Sequence, residues 1–311
     1  MAENLYSDGS LVVSEILAQE VGLKLAERGF FHAHPAIQYA GAAMGSAVTK
    51  VDYIDAGAGT LASTAENTAV AGTAFGFTRA SITIAQHRLA RSVSDMLRFL
   101  DSTGTVTNVE DFAADAAGSY AKTLSSLLIT AAQSATASVG TSGAAMTWAD
   151  FREAKATLVA ANAEVTPGSV VCVLHPTQFA DLEANAAAAG IGDAVARSPE
   201  AQAVMQANAP LSGFRGTYFG VDVFTNTLVP TANSGADRSG FMAARTGLVW
   251  ADALIEASLA GDREVIVDGG RLQIDFDRDS SKAMTNVYYQ ALVGASLGQD
   301  AAVVKMVTSA T

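Results

Sequence analysis

The sequence predicts an α+β fold, because its hydrophobic pattern changes period several times along the chain. Between residues 46 and 94 apolar and polar residues alternate, which is typical of β-strands. From residue 108 to about residue 139 the apolar residues fall three or four apart, which is typical of a long amphipathic helix. Two further helical segments then flank an apolar strand, and strand-like segments continue towards the C-terminus.

The composition is that of a globular chain with a lightly charged surface. Of 311 residues, 50% are hydrophobic and 16% are charged, so we expect a substantial core and not intrinsic disorder. Few charges and many small side chains suit a protein whose surface is largely covered by copies of itself. The net charge of −12, with only 19 Lys and Arg residues, argues against tight nucleic-acid binding.

The N-terminal segment, residues 1–47, is predicted to be an arm and not a domain. It contains a short amphipathic stretch, residues 11–26, and lacks the basic-then-apolar pattern of a signal peptide. No stretch of the chain reaches the ~18 apolar residues that a membrane span needs. We therefore expect a soluble protein made in a cytoplasm, with no membrane partner. Cys172, the single cysteine, lies in an apolar run, which predicts a buried thiol and no intrachain disulfide.

Residues 48–94 are predicted to form a long β-hairpin with little core of its own. Its two extended segments are joined by a stretch rich in Gly, Ala and Thr, with Gly57 and Gly59 at the loop tip. A two-stranded ribbon of this kind is not stable alone. We therefore expect its packing partner to be another subunit.

A long spine helix is predicted from residue 108 to about residue 139. Its apolar face consists of Val109, Phe112, Ala116, Tyr120, Leu124, Leu127 and Ala131. Asn108 can cap its N-terminus, and Gly140 can end it. At 1.5 Å per residue this helix would be roughly 45 Å long.

A compact mixed lobe is predicted to follow the spine helix. Thr147 and Asp150 form a capping-box variant that opens a helix running to about Ala163. An apolar strand comes next, and Pro176 then begins a helix that ends near Gly190. The predicted strands after the spine helix are residues 170–174, 214–224, 240–251, 264–267, 272–276 and 285–307. We expect the terminal β-structure to pack on the spine helix.

Fragments of catalytic motifs occur without the context that their chemistry needs. Residues 294–298 match the nucleophile elbow of hydrolases, but no histidine follows His175, so Ser296 cannot complete a triad in the required order. Gly57 and Gly59 resemble part of a dinucleotide fingerprint, yet neither a good helix nor a ribose-binding acid follows them. We therefore predict no catalytic residue, no cofactor and no enzyme activity.

An acidic stripe and a set of arginines are the candidate intersubunit contacts. The acidic residues Asp275, Asp277 and Asp279 alternate along one strand, and the arginines are Arg79, Arg88, Arg91 and Arg98. The positions that a calcium-binding EF-hand reserves for Gly and Glu hold other residues, which excludes that loop. Two interpretations stay open: the two sets pair between subunits, or the acids protect a solvated strand edge. His32 and His34 lack a third ligand nearby, so we predict no metal site.

The order of these elements resembles that of the major capsid proteins of tailed bacteriophages, the Hong Kong 97 (HK97) type. The resemblance covers nearly the whole chain and has no strict signature motif. It is carried by residues 45–53 and 85–95 at the two ends of the hairpin, and by residues 171–178, 216–223 and 291–305.

The resemblance implies an HK97-like capsid fold with four parts. These are an N-terminal arm (1–47), an extended loop (48–94), a peripheral domain (95–147 and 261–311) and an axial domain (148–260). Members of the family form hexamers and pentamers that close into an icosahedral shell around double-stranded DNA, with the extended loop lying across a neighbouring subunit. Some members crosslink a loop Lys to a neighbour's Asn, but the hairpin offers only Lys50, at its base, so we do not expect that crosslink.

The resemblance also implies assembly partners. Besides further copies of the chain, a portal is expected, a decoration protein is compatible with the shell, and the DNA would be enclosed with weak, non-specific contact. The short arm predicts that the scaffolding protein is a separate chain.

Two other classes of protein stay open. Shells of bacterial nanocompartments, the encapsulin-like proteins, share the fold and enclose enzymes instead of genomes, and a groove for a cargo peptide would distinguish them. A serine hydrolase using Ser296 is the remote alternative, and a replacement of Ser296 without measurable effect would exclude it.

Overall fold

The computed structural model describes residues 31, 34–42, 47–54, 77–94, 109–161, 163, 165, 168–188, 213–254, 264–267 and 271–309. Within these residues the helices are α1 (Val109–Ala132), α2 (Trp148–Ala160) and α3 (Pro176–Ala188). The strands form a six-stranded sheet, a seven-stranded sheet and a two-stranded hairpin. None of the described helices is both long enough and apolar enough to cross a membrane. Residues 1–30 of the predicted arm, 1–47, lie outside the described residues, and residues 37–42 of it form a strand of the first sheet.

The first sheet is built around one long strand, β14 (Met284–Leu297). Its other strands are β1 (Ile37–Ala42), β4 (Ala85–Ser94), β11 (Leu248–Asp252), β12 (Glu264–Val267) and β13 (Leu272–Asp279). Val293 pairs with both Ala85 and Asp252, so β4 and β11 lie on opposite sides of β14. Tyr289 likewise pairs with both Leu89 and Ile274, which places β13 on the same side of β14 as β11.

Helix α1 packs on one face of the first sheet. Val287, Tyr289 and Val293, alternate residues of β14, share a hydrophobic core with Ala116 and Leu124 of α1. Successive strand side chains point to opposite faces, so Tyr288 and Gly294 lie on the outer face, away from α1.

Helix α1 ends at Ala132, earlier than the predicted end near residue 139, and its 24 residues span about 36 Å. The reason is tertiary: the Thr136 N–H donates to Asp300 Oδ1 at 2.7 Å, and the Lys305 N–H donates to the Ala137 carbonyl at 2.9 Å. The chain therefore leaves the helix to add the short strand β5 (Ser138–Val139) to the second sheet.

The second sheet carries the other two helices. Its strands are β5, β6 (Val170–Leu174), β7 (Phe214–Tyr218), β8 (Val221–Thr225), β9 (Thr231–Ala232), β10 (Asp237–Ala244) and β15 (Val303–Ser309). Strand β6 is fully buried, with Cys172 facing the α2 and α3 side and Val171 and Val173 facing the core of α1. Burial raises the pKa of the Cys172 thiol well above its usual value, and the predicted buried thiol is confirmed.

The two shorter helices begin where the sequence predicts. The Thr147 hydroxyl accepts a hydrogen bond from the Asp150 N–H at 3.3 Å, and the Asp150 carboxylate accepts one from the Thr147 N–H at 2.9 Å, which confirms the capping box. Helix α2 ends three residues before the predicted Ala163. Pro176 is the first residue of α3.

Three segments that were each predicted as one strand form two strands in the structure. Residues 214–224 form a tight hairpin, because Phe219 and Gly220 both adopt positive φ angles, 53° and 77°. The predicted strands 240–251 and 285–307 each cross from one sheet to the other, at Thr246 and at Gly298. These two crossovers bind each other: the Gln299 N–H donates to the Thr246 carbonyl at 2.9 Å, and the Thr246 hydroxyl donates to Gln299 Oε1 at 2.7 Å.

The two crossovers carry strands of both sheets past the predicted domain boundary at residue 260. Strand β11, assigned to the axial domain, lies in the first sheet with α1. Strand β15, assigned to the peripheral domain, lies in the second sheet between β5 and β10. Each sheet therefore takes strands from both sides of the predicted boundary.

Candidate assembly surface

The predicted extended loop begins as a real antiparallel hairpin. Strand β2 (Val48–Ile54) pairs with β3 (Phe77–Thr83) from Val48 opposite Thr83 to Ile54 opposite Phe77. At Ile84, whose N–H donates to the Ala47 carbonyl at 2.8 Å, the chain leaves the hairpin and continues as β4 of the first sheet. The loop tip, Gly57 and Gly59, lies outside the described residues.

The inner face of the hairpin packs on its own subunit. Tyr53, Ala80 and Ile82 form a small core with Val249 and Ala251 of β11, on the outer face of the first sheet. This contact corrects the expectation that the hairpin would find its packing partner in another subunit, since its described strands find one in their own chain.

Two residues, Gly294 and Tyr53, fix how the hairpin lies on the sheet. A Cβ atom at Gly294 would come within 2.2 Å of the Thr83 carbonyl oxygen, so a side chain there is excluded by the hairpin backbone. The Tyr53 hydroxyl donates to Gln38 Oε1 at 3.0 Å, and burial raises the pKa of Tyr53 to about 12. The base of the hairpin is thereby held against the sheet at both of its strands.

The outward face of the hairpin carries an ion pair beside exposed apolar side chains, which include Val48 and Phe77. Arg79 donates from Nε and Nη2 to the two carboxylate oxygens of Asp52, at 2.5 and 2.9 Å, and these bonds lower the pKa of Asp52. Both side chains are about half exposed, so the pair contributes little to folding stability. Phe77, at the end nearest the loop tip, is 67% exposed.

The four predicted arginines do not form one strip. Arg79 is bound to Asp52 on the hairpin, and Arg91 donates to both carboxylate oxygens of Asp115 on α1, at 2.8 and 3.0 Å. Arg88 lies on the outer face of the first sheet, with its guanidinium 4.5 Å from the centre of the Tyr288 ring. Arg98 lies outside the described residues.

Two of the predicted acidic residues share that outer face with Arg88. Asp275 lies opposite Tyr288 and Asp277 lies opposite Asn286 across the β13–β14 ladder. Cross-strand partners point to the same side of a sheet, so the surface made of Arg88, Tyr288, Asp275 and Asp277, called here the open face, has a cation on one strand and acids two strands away.

Asp279, the third acid, makes its hydrogen bonds and its ion pair within its own turn. It accepts hydrogen bonds from the Ser281 N–H and hydroxyl at 3.0 and 2.6 Å and lies 3.3 Å from Lys282 Nζ. These donors lower the pKa of Asp279. Within the described part of the chain, Asp275 and Asp277 have no ion-pair partner.

Comparison with solved structures gives the fold. The chain is similar to the capsid of Ralstonia phage GP4, with a TM-score of 0.60 and 14% identity over 92% of this chain and 90% of that chain. It is equally similar to the capsid of a native GTA particle, with a TM-score of 0.60 and 14% identity over 90% of both chains. The encapsulin of Synechococcus elongatus PCC 7942, solved as the holo-SrpI complex, has a TM-score of 0.56 and 13% identity over 86% of this chain and 83% of that chain.

The chain has the HK97-like capsid fold. No protein-family model and no curated protein sequence matches it, so the likeness lies in the three-dimensional structure. The predicted fold class is confirmed over most of the chain.

The HK97-like fold places Ser296 where no nucleophile elbow can form. Ser296 lies inside the long strand β14, and its hydroxyl donates to the Leu297 carbonyl at 3.3 Å. A nucleophile elbow needs a sharp strand-to-helix turn at the serine, whereas Ser296 is still paired with Val249 of β11 and no α-helix follows it among the described residues.

His34 has a structural contact that the sequence did not reveal. Its Nε2 lies 2.8 Å from Asp222 Oδ2 on β8, and Asp222 also accepts a hydrogen bond from Thr217. Burial opposes ionisation of Asp222, but these two hydrogen bonds outweigh it and lower its pKa. His32 lies outside the described residues, and within the described chain no group of three His, Cys, Asp or Glu side chains is placed to hold a metal ion.

Proposed function

We propose that this chain is the major capsid protein of a tailed bacteriophage, a structural subunit that assembles as hexamers and pentamers into an icosahedral shell. The observation that carries the proposal is the fold, shared with the Ralstonia phage GP4 capsid over 92% of this chain. No chemistry is needed for this role, because a shell is held together by weak contacts repeated many times.

The open face is the proposed contact between subunits. Of the seven charged residues predicted for this role, Arg79, Arg91 and Asp279 are engaged within their own subunit. Arg98 lies outside the described residues, so the described residues leave Arg88 as the available cation and Asp275 and Asp277 as the available acids, on one surface. Asp275 and Asp277 of one subunit would pair with Arg88 of a neighbour, which favours correct partners more than it adds affinity.

The proposed contents of the shell are double-stranded DNA, held without a strong protein contact. A chain with a net charge of −12 repels phosphate, which suits a wall that encloses DNA without gripping it. The proposed assembly partners are a separate scaffolding protein and a portal, with a decoration protein as an outer addition, and the proposed location is the virion capsid.

A nanocompartment shell is the second candidate, favoured by the likeness to the Synechococcus elongatus encapsulin. That shell would enclose a protein cargo in place of a genome. The two candidates differ in what a purified particle contains, and not in the fold of its subunit.

Electron microscopy of the protein, expressed alone and together with its neighbouring genes, tests the proposal. Closed polyhedral shells, or rings and tubes of capsomers, are expected, and nuclease-protected DNA in particles from infected or induced cells distinguishes a capsid from a nanocompartment. Dispersed monomers or dimers in both preparations would contradict both candidates.

The loop tip offers a second test. Removal of residues 57–68 is expected to leave a folded subunit, with an unchanged circular-dichroism spectrum and melting temperature, that no longer forms shells. Normal shells from this variant would show that the loop has no role in assembly.

A further inference from the structure

Strand β4 pairs with β14 along all ten of its residues on one side. No other described strand pairs with β4 on its second side, called here the free edge. About half of its backbone N–H and C=O groups therefore point away from the sheet. A long free edge of this kind is a template for one more strand.

A groove runs beneath this edge, between β4 and α1. It has a volume of about 660 Å³, and its walls include Leu89 and His87 of β4 and Ser119 and Lys122 of α1. Its floor is formed by Leu272, Tyr289 and Ala291 of the neighbouring strands. An extended peptide paired with β4 would direct every second side chain into this groove.

The carboxylate among the groove's lining residues, Asp115, is already paired, because Arg91 Nε lies 2.8 Å from its Oδ2. Lys122 is exposed and has no ion-pair partner in the described part of the chain. The Nε2 atom of His87 is buried and has no hydrogen-bond partner among the described residues.

We propose that the free edge of β4 and the groove beneath it bind an extended acidic segment of a partner protein. The segment adds a strand to the first sheet, and one of its carboxylates accepts hydrogen bonds from Lys122 and from His87 Nε2. Its apolar side chains lie on Leu89 and Leu272. The groove and the open face lie on opposite sides of the same sheet, and Arg88, at the edge strand β4, borders both of them.

An acidic peptide fits this site better than a nucleic acid does. Only a polypeptide backbone can pair with the free N–H and C=O groups of β4. The many phosphates of a nucleic acid would also be repelled by this chain, whose net charge is −12. A single carboxylate of a peptide needs only one nearby cation, Lys122, to be attracted to the groove.

Fluorescence anisotropy on the full chain tests the proposal, with a labelled peptide whose odd positions carry Val and Glu in turn and whose even positions carry Thr, so that both kinds of side chain lie on one face. A matched peptide with Lys in place of Glu and a single-stranded oligonucleotide are the competing probes, all of them ten units long, the length of β4. The Val–Glu peptide is expected to bind at least about tenfold more tightly than either. Equal or weaker binding of the Val–Glu peptide, or none, overturns the proposal.

Matched variants locate the site. Lys122→Glu is expected to weaken binding of the Val–Glu peptide about tenfold, whereas Lys50→Glu, the same change of charge on the hairpin, leaves it within about twofold. The peptide should also slow hydrogen exchange of amides in β4. An equal effect of the two variants, or unchanged exchange in β4, would mean that the peptide responds to overall charge and that the groove is not its site. Neither the binding result nor the exchange result tests shell formation, which is measured separately by electron microscopy of the same variants.

Discussion

Gln178 is a fully buried polar side chain that joins three elements of the second sheet's core. Its Nε2 donates to the Met306 carbonyl at 3.2 Å and to the Thr308 hydroxyl at 2.8 Å, and its Oε1 accepts from the His175 N–H at 3.1 Å. A buried amide whose groups are all bonded fixes the position of α3 on the sheet, because any shift leaves a polar group unpaired.

Replacement of Gln178 by Met keeps the volume of the side chain and removes its hydrogen bonds. The unpaired backbone and hydroxyl groups are expected to lower the free energy of unfolding by about 3 kcal/mol. Urea denaturation measures the change, with Gln86→Met on exposed β4 as the control, expected within about 0.5 kcal/mol. Equal effects of the two variants would mean that the Gln178 bonds contribute nothing.

Asp237 gives a prediction that depends on pH. Its buried carboxylate accepts hydrogen bonds from the Ser142 hydroxyl at 2.6 Å, from Asn233 Nδ2 and from the Gly143 N–H at 2.8 Å, and these donors lower its pKa. A carboxylate with a lowered pKa stabilises the fold above its unfolded value of 3.8, and this contribution disappears as the pH falls through the folded value.

The melting temperature of Asp237→Asn is therefore expected to be lower than that of the wild type at pH 7. The difference between the two proteins should shrink steadily as the pH falls below 3.8. Calorimetry across this range measures it. A difference that stays constant with pH would assign the effect to shape and not to charge.

At the scale of secondary-structure elements, local sequence signals were sufficient to predict where a helix begins. The capping box at Thr147 and the proline at the start of α3 are bonds and angles within a few residues, so the sequence shows them directly. The end of α1 and the crossovers at Thr246 and Gly298 depend on partners more than fifty residues away or in another sheet, and the sequence carries no local mark of them.

The same distinction between local sequence signals and tertiary contacts applies to the candidate assembly surface. The alternation of Asp275 and Asp277 is visible in the sequence and placed both on one face, as the structure has them. The partners of Arg79 and Arg91 depend on sheet register and helix packing, so their pairing within the subunit was not predictable.

The packing of the hairpin on its own sheet predicts a large effect of one methyl group. Gly294→Ala would place Cβ 2.2 Å from the Thr83 carbonyl oxygen, and the backbone of β3 must move away. The expected loss is about 1–3 kcal/mol of unfolding free energy, measured by urea denaturation. Ser296→Ala, on the same face of the same strand, is the control and should change it by less than about 0.5 kcal/mol. Similar losses of unfolding free energy in the two variants would mean that the hairpin base does not pack on β14.

At the scale of the whole molecule, the two sheets are joined by the chain itself. The strand pairs β10–β11 and β14–β15 each pass from one sheet to the other, and their crossovers are hydrogen-bonded to each other. The hairpin base closes over the outer face of the first sheet at β11, whereas Arg88 and Asp277 on the same face are exposed. The described residues of the subunit therefore leave one charged surface uncovered.

A charge exchange on the open face tests whether that surface joins subunits. Arg88→Asp alone, or Asp277→Arg alone, is expected to reduce the yield of shells about tenfold or more, because each places like charges opposite each other in neighbouring subunits. The melting temperature of the isolated subunit should change little, since the contact of Arg88 with Tyr288 is exposed and contributes only about 0.5–1 kcal/mol.

The double variant restores the opposite charges in exchanged positions and should recover shells, counted by electron microscopy and sedimentation. Strand β14 separates β4 from β13, and Arg88 lies opposite Gln290 whereas Asp277 lies opposite Asn286, four residues away along β14. The two positions are therefore about 17 Å apart within one subunit, so this rescue cannot come from a direct ion pair inside it. Wild-type yields from both single variants would assign the Asp275 and Asp277 stripe to protection of the strand edge.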